Sequence, residues 1–400
     1  MLETDVAIIG CGLAGSTAAA MLGRAGIATV VVDPHTEYPP DFRCEKLDGS
    51  QIAALEKTGL AGPILSKGTM NSRIQVVRGG RVVDNKPRRQ CNILYNTMVN
   101  AMRGEIPQSV ERVTDKVTDV TNSAERQTLI LSSGETVSAR LVIFASGLNV
   151  ALRESLGIEL KMISADHSVS IGFDIAPTDG GEFDFEALTY FSERAADRLA
   201  YLALFPIGSV KRANLFVYRD MTDPWLVAFR KEPRNALETL VPKLARIIGD
   251  FEVTDTPKIR PVDLVTAGGH IQPGVVLVGD AFGTSCPAAG TGCNKVFTDV
   301  ERLCHAYVPA WLATPGMDAD KIAAFYEDPE KLAADTQSRA KAFRLKSLST
   351  EKGLTWSARR RGRYFWHLTI GTLRRLREGG GTHLPGHVVA GRSGTRKAHG

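Results

Sequence analysis

The sequence holds no run of eighteen consecutive apolar residues, so no membrane-spanning helix is expected. Nor does it open on a basic flank and an apolar core. Met1-Leu2-Glu3-Thr4-Asp5 is acidic and runs straight into a strand, the wrong start for a secretory signal. Its six cysteines (Cys11, Cys44, Cys91, Cys286, Cys293 and Cys304) lack CxxC spacing. Without an export signal they are expected as reduced thiols in a cytoplasmic chain. His35, His167, His270 and His305 are scattered, none with a partner at ligand spacing, so no metal site is expected. There is no internal repeat.

Basic charge is missing where a nucleic-acid-binding body would need it. The formal net charge of +5 hides an imbalance. Residues 351–400 carry eleven Lys and Arg against Glu351 and Glu378, so the other 350 residues are net acidic. A nucleic-acid surface would spread basic charge over the folded body, and no nucleic-acid partner is expected.

What is present is an ordinary globular composition, 43% hydrophobic and 23% charged over 400 residues, enough for two interlocked domains. Residues 5–9 and 28–32 read as buried strands around a helix at 14–25, a βαβ unit opening a doubly wound sheet. Helices are expected at 50–59 and 92–103. Residues 73–84 read as a hairpin turning at Gly79-Gly80. Residues 110–121, 126–131 and 139–145 read as further strands. From 168 to 220 aromatic and β-branched runs predict a mostly antiparallel sheet. A helix is expected at 235–248, a buried strand at 275–278, a long helix from about 293, and helices through much of 318–377. Residues 378–400 are Gly-, His- and Arg-rich and are expected to be disordered.

Two motifs carry chemistry. Gly10-Cys11-Gly12-Leu13-Ala14-Gly15 follows the first strand and opens the first helix. Gly10 permits a tight turn, Gly12 lets a pyrophosphate approach the backbone, and Gly15 lets helix and strand pack closely. The helix N-terminus, including the backbone of Leu13 and Ala14, offers free N–H groups to phosphates. Asp33, at the end of the second strand, is placed to accept hydrogen bonds from adenosine ribose hydroxyls. The second motif follows the strand at 275–278: Gly279-Asp280-Ala281-Phe282, then Pro287-Ala288-Ala289-Gly290-Thr291-Gly292-Cys293-Asn294.

With both motifs the chain resembles the group A flavoprotein monooxygenase superfamily, the para-hydroxybenzoate hydroxylase type. The resemblance covers 1–165 and 262–310 well, 166–261 in outline, and the tail not at all. It implies FAD, with Gly279 and Asp280 at the ribityl chain and the loop of Pro287, Gly290, Gly292 and Asn294 against the flavin ring. It also implies a phosphate or ribose contact for Arg43, in Phe42-Arg43-Cys44-Glu45. The activity implied is hydroxylation of a hydrophobic or aromatic small molecule, with NADH or NADPH as reductant and dioxygen as oxidant. No catalytic acid or base can be named.

The chain also departs from that pattern. Ser146-Gly147 stands where the superfamily often has Asp-Gly, although Arg153 matches the arginine of that motif. Gly283 replaces the usual His, as in the geranylgeranyl reductase branch, and no Trp-x-Trp-x-Ile-Pro halogenase segment occurs. The alternatives are therefore an FAD-dependent reductase of a polyprenyl C=C bond and a non-catalytic flavin-binding protein.

The fold class expected is α/β. A Rossmann-type FAD domain (1–165 and 262–345) takes an inserted, mostly antiparallel substrate sheet (166–261), and a basic helical tail follows (346–400). Tyr190, Phe191, Tyr201 and Phe205 are the aromatics expected on the substrate side, although core packing explains each one separately. Cys11, Cys286 and Cys293 lie in cofactor loops, either as a redox partner or flavin anchor or as small residues that fit tight turns. Residues 357–377 mix Tyr364, Phe365, Trp366, Leu368, Ile370, Leu373 and Leu376 with arginines. Peripheral contact with the inner face of a membrane and docking on the protein body are both open for this segment.

Overall fold

The structure, a computed structural model, describes residues 1–377. The expectation of disorder for 378–400 lies outside the described residues.

The first sheet is built around Leu2–Ile9, which pairs in parallel with Thr29–Val32 on one side and Thr136–Phe144 on the other. Glu111–Val113 and Val275–Leu277 extend it in parallel. Gln127–Leu131 and Val117–Thr121 close one edge as antiparallel strands. Val6, Ala7 and Ile8 are fully buried, as a parallel strand covered on both faces requires. One covering layer is the helix Leu13–Arg24, pressed so close that a Cβ on Gly15 would lie 1.8 Å from the carbonyl oxygen of Gly10. Only glycine fits there.

The second sheet has nine strands and is larger than an insertion at 166–261 alone can supply. Its middle runs Glu159–Pro177, Val210–Val217, Leu199–Ile207 and Ala187–Phe191, antiparallel throughout. Ala187–Phe191 then pairs in parallel with Thr69–Arg78, so the hairpin Thr69–Arg78/Arg81–Asn92 and the short strand Lys46–Asp48 join the same sheet. Phe251–Val253 and Lys258–Gly268 pair with the long strand Glu159–Pro177. Both hairpin glycines, Gly79 and Gly80, have positive φ (57° and 71°), the backbone a tight two-residue turn demands.

One helix expectation is corrected. Residues 235–248 form two pieces, Pro233–Leu240 and Leu244–Ile248. Pro242 cannot donate to the helix ladder and disfavours helical backbone at Val241, which sits at φ −130° and ψ 63°. The C-terminal region is helical as expected, in Ala319–Tyr326, Pro329–Thr350 and Leu354–Arg377.

The last helix docks on the 69–92 hairpin. A Cβ on Gly371 would fall 2.0 Å from the carbonyl oxygen of Val83, so the two backbones touch there. Arg374 forms an ion pair with buried Asp84. Arg360 reaches back to the carbonyls of Leu348 (3.2 Å) and Glu351 (2.9 Å).

Candidate active site

Between the two sheets lies a cavity of about 870 Å³, at the upper end of the volumes small-molecule sites occupy. Gly10, Gly12, Leu13, Ala14, Asp33, Arg43, Asp280, Pro287, Gly290 and Gly292 line it. The two motifs are some 270 positions apart in sequence, and the fold brings them to one wall.

The fingerprint end leaves an uncapped helix N-terminus open to the cavity. Gly10 has φ +93° and lies against the backbone of Ala145, where a Cβ would come within 2.8 Å of the carbonyl oxygen. A Cβ on Gly12, by contrast, would meet nothing nearer than Tyr38 at 3.8 Å, so open space faces the helix N-terminus. No side chain caps that helix, which leaves its first N–H groups free for a ligand. The Asp33 carboxylate accepts from the backbone N–H groups of Cys11 (2.7 Å) and His35 (2.9 Å) and pairs with buried Arg103 at 3.1 Å. Arg103 also donates to the carbonyls of Cys11 and His35, both at 2.7 Å, and so ties the fingerprint loop to the acid beyond the second strand.

The Asp280 end joins a second segment. Arg43 donates to Asp280 at 2.9 Å and to Asp41 at 2.6 Å. Glu45 is buried in a bidentate pair with Arg212, at 2.9 and 3.0 Å, which fastens the 43–46 segment to the second sheet. Gln51 donates to the carbonyl of Gly290 at 3.2 Å while its side-chain oxygen caps Asp48. Gly290 takes φ +63°, the left-handed turn that opens the loop before the helix Gly292–Arg302.

Three expected site residues stand off the cavity wall. Gly15 is used up in packing against Gly10. Gly279 turns the chain at φ +60° beneath Ala14 and Val296. The Asn294 amide, in the first turn of its helix, donates to the Ser50 hydroxyl at 3.3 Å. The aromatics divide evenly: Phe191 and Tyr201 line the cavity, while Tyr190 and Phe205 are core. The Tyr201 hydroxyl donates to the carbonyl of Ala288 at 2.9 Å, tying the second sheet to the flavin-type loop.

Residues the motifs did not mark are also present. Lys46 lines the cavity beside the rings of Tyr201 (5.4 Å) and Phe205 (5.6 Å), and burial pulls its ammonium down to about 8. Its signal was faint: it lies three residues beyond Arg43, in no motif. Cys44 and Cys293 line the same region, the Cys44 thiol donates to the Lys46 carbonyl at 3.2 Å, and the interaction of the two thiols lowers the first and raises the second. Burial pushes the Cys11 thiol up to about 11 and raises Cys286 as well, which favours the reading of these cysteines as small packing residues. All six cysteines are unpaired. Arg153 is fully buried and bonded to the carbonyls of Asn149 (3.1 Å) and Ala281, so it braces the Asp280 turn from behind.

A glycine-rich helix start, an acid beyond the second strand and a second glycine-rich loop converge on one cavity. The family model described as FAD binding domain matches residues 3–308, and the chain belongs to that family. Escherichia coli 3-demethoxyubiquinol 3-hydroxylase is 24% identical over 348 residues, spanning 78% of this chain and 83% of that protein. Digeranylgeranylglycerophospholipid reductase of Methanosarcina acetivorans is 23% identical over 357 residues, 79% of this chain and 82% of that one. Among solved structures, p-nitrophenol 4-monooxygenase PnpA of Pseudomonas putida superposes with a TM-score of 0.71 at 17% identity, covering 94% of this chain and 98% of that one. The chain is an FAD-dependent enzyme of the monooxygenase type, a class that draws its electrons from NADH or NADPH.

Proposed function

We propose that the chain hydroxylates an aromatic or otherwise apolar small molecule in the cavity between its two sheets. The observation carrying this reading is that both flavin motifs open onto one cavity, which continues to Ile74, Val76, Phe191, Tyr201 and Phe216 of the second sheet. Gly10, Gly12 and the N-terminus of Leu13–Arg24 would hold the FAD pyrophosphate, Asp33 the adenosine ribose, and Asp280 with Arg43 the ribityl region. The Pro287–Gly292 loop would meet the ring. When bound, FAD supplies the electron-transfer and oxygen chemistry that no side chain can perform. The protein orients the substrate, and Lys46 places a titratable charge beside it.

The test is a screen of the yellow holoprotein for compounds that accelerate its reduction by NADH or NADPH, followed by oxygen uptake. A compound that speeds reduction and consumes oxygen stoichiometrically with its own hydroxylation supports the reading. Anaerobic saturation of a polyprenyl C=C bond without oxygen uptake replaces it with the reductase reading.

A membrane surface is the second reading, favoured by the last helix. Phe365, Trp366, Leu373 and Leu376 share its outward side and are 54–73% exposed, while Arg359, Arg361 and Arg377 are exposed around them. Among the described residues no helix is long and apolar enough to cross a membrane. An apolar strip flanked by arginines suits the interface of an anionic bilayer. Vesicles containing phosphatidylglycerol are expected to bind the protein, with binding weakened by salt and abolished in Phe365→Ser/Trp366→Ser. No binding at low salt rejects this reading.

A further inference from the structure

The last helix is amphipathic in an unusual sense: its apolar strip faces out and much of its basic charge faces in. Arg360, Arg363, His367 and Arg374 lie on the side that packs against the hairpin and the helix Pro329–Thr350, at spacings of three, four and seven residues. Two of them, Arg363 and His367, line the cavity, together with Lys341 from Pro329–Thr350 and Lys86 and Arg88 from the hairpin. Basic groups from three elements therefore meet along one stretch of wall.

The acids in reach are already taken. Glu193 is paired with Arg78 at 2.9 Å, Asp84 with Arg374, and Asp48 with Arg88 at 2.6 Å. The side chains of Lys86, Lys341, Arg363 and His367 make no hydrogen bond or ion pair among the described residues. Burial, reinforced by mutual repulsion, marks the crowding. It lowers Arg363, where Arg78 and Arg344 add to the effect, and brings His367 down to about 4, where Arg78, Lys86 and Arg363 add to it. His367 is therefore neutral at neutral pH and Arg88 is already paired, which leaves Lys86, Lys341 and Arg363 as like charges at the cavity wall without counter-ions, a grouping that raises the local concentration of an anion.

We propose that this wall is an anion-binding lip, contributed largely by the C-terminal helix, and that the substrate carries a carboxylate or comparable anionic group that it holds. The aromatic part would then lie on the Phe191, Tyr201 and Phe216 side of the same cavity. The inference rests on the reading that the sheet end of the cavity takes the substrate. Nicotinamide dinucleotide phosphates share the chemistry, and the experiment separates the two sources.

The probes are 2-naphthoate and benzoate, each against its neutral amide, titrated into the FAD-loaded protein and followed by flavin absorbance. Each acid should bind at least tenfold more tightly than its amide. Lys341→Gln/Arg363→Gln should bring the acids to the level of the amides and leave the amides unchanged. Arg361→Gln, which removes an exposed arginine of the same helix, should change neither. Equal affinity of acid and amide, no binding of the acids, or an unaltered acid affinity in the double variant overturns the proposal. So does a double variant that weakens only NADH or NADPH binding, which would assign the lip to the nucleotide. A protein that takes up no FAD fails at the earlier step and removes the functional reading itself, whereas a yellow protein without acid preference removes only this inference.

Discussion

At the scale of single residues, the site rests on a few positions with no tolerance. Gly15 is one: a methyl group there would lie 1.8 Å from the Gly10 carbonyl oxygen, and the helix would have to move off the strand. Gly15→Ala is expected to cost at least the roughly 1–3 kcal/mol typical of overpacking and to lower FAD occupancy, read from the flavin-to-protein absorbance ratio. Asp280 behaves differently. It is partly exposed and paired with Arg43, which keeps Asp41 as a second partner, so Asp280→Ala should scarcely change folding stability. If the carboxylate holds the ribityl hydroxyls, the variant loses a charge-assisted bond of roughly 1.5–3 kcal/mol, and FAD affinity falls by about one to two decades. Fluorescence titration of the apoprotein decides it, since unchanged affinity in a folded variant removes Asp280 from the FAD site. Lys46 gives a pH signature. Its ammonium loses its proton near pH 8, so the bound flavin spectrum should shift through that value in the native protein and not in Lys46→Met.

At the scale of elements, the helices Gly292–Arg302 and Pro329–Thr350 are joined by buried charge. Lys331 pairs with Asp299 at 3.2 Å and Asp335 at 3.1 Å, and Lys295 with Asp335 at 3.0 Å. Asp299 also accepts from the backbone N–H of Gly279 at 3.4 Å, so the clamp reaches the Asp280 turn. Lys331→Met strands a fully buried carboxylate and should destabilise the protein by about 3–5 kcal/mol, whereas Lys331→Met/Asp299→Asn removes both charges and should recover much of that loss. Urea unfolding of the two variants measures the difference, and equal losses would show that the buried charge is not the cause. This clamp was not legible in the sequence, because Asp299 and Lys331 carry no motif and meet only after the last helices fold back. The elements themselves were legible wherever one periodicity ruled a segment: the βαβ unit, the Gly79-Gly80 hairpin and the strand at 275–278 all stand where their patterns put them. The hairpin's membership in the second sheet was not, since a parallel pairing between Thr69–Arg78 and Ala187–Phe191 depends on contacts over a hundred residues apart.

At the scale of the molecule, charge was readable as a quantity and not as a direction. The basic tail stood out in the composition, but only the docked helix shows that Arg363 and His367 turn toward the cavity while Phe365 and Trp366 turn outward. The same folding back buries histidines, and that has a consequence for the whole chain. His167 is fully buried among the rings of Tyr218 and Phe343, with its Nδ1 3.2 Å from the Ser164 hydroxyl. Burial holds it down to about 4, aided by Lys346. His270 and His367 are lowered for the same leading reason. A histidine whose folded pKa lies below the ordinary 6.5 binds fewer protons folded than unfolded, so its neutral form stabilises the protein fully above pH 6.5. That stability drains away as pH falls from 6.5 toward 4, where the unfolded chain takes up protons that the folded chain refuses. The melting temperature should therefore fall steadily across that window, with a smaller slope in His167→Asn, which retains a polar atom for Ser164 and cannot be charged. A melting temperature that is flat from pH 6.5 to 4, or a slope that His167→Asn leaves unchanged, would show that His167 titrates in the folded protein without penalty.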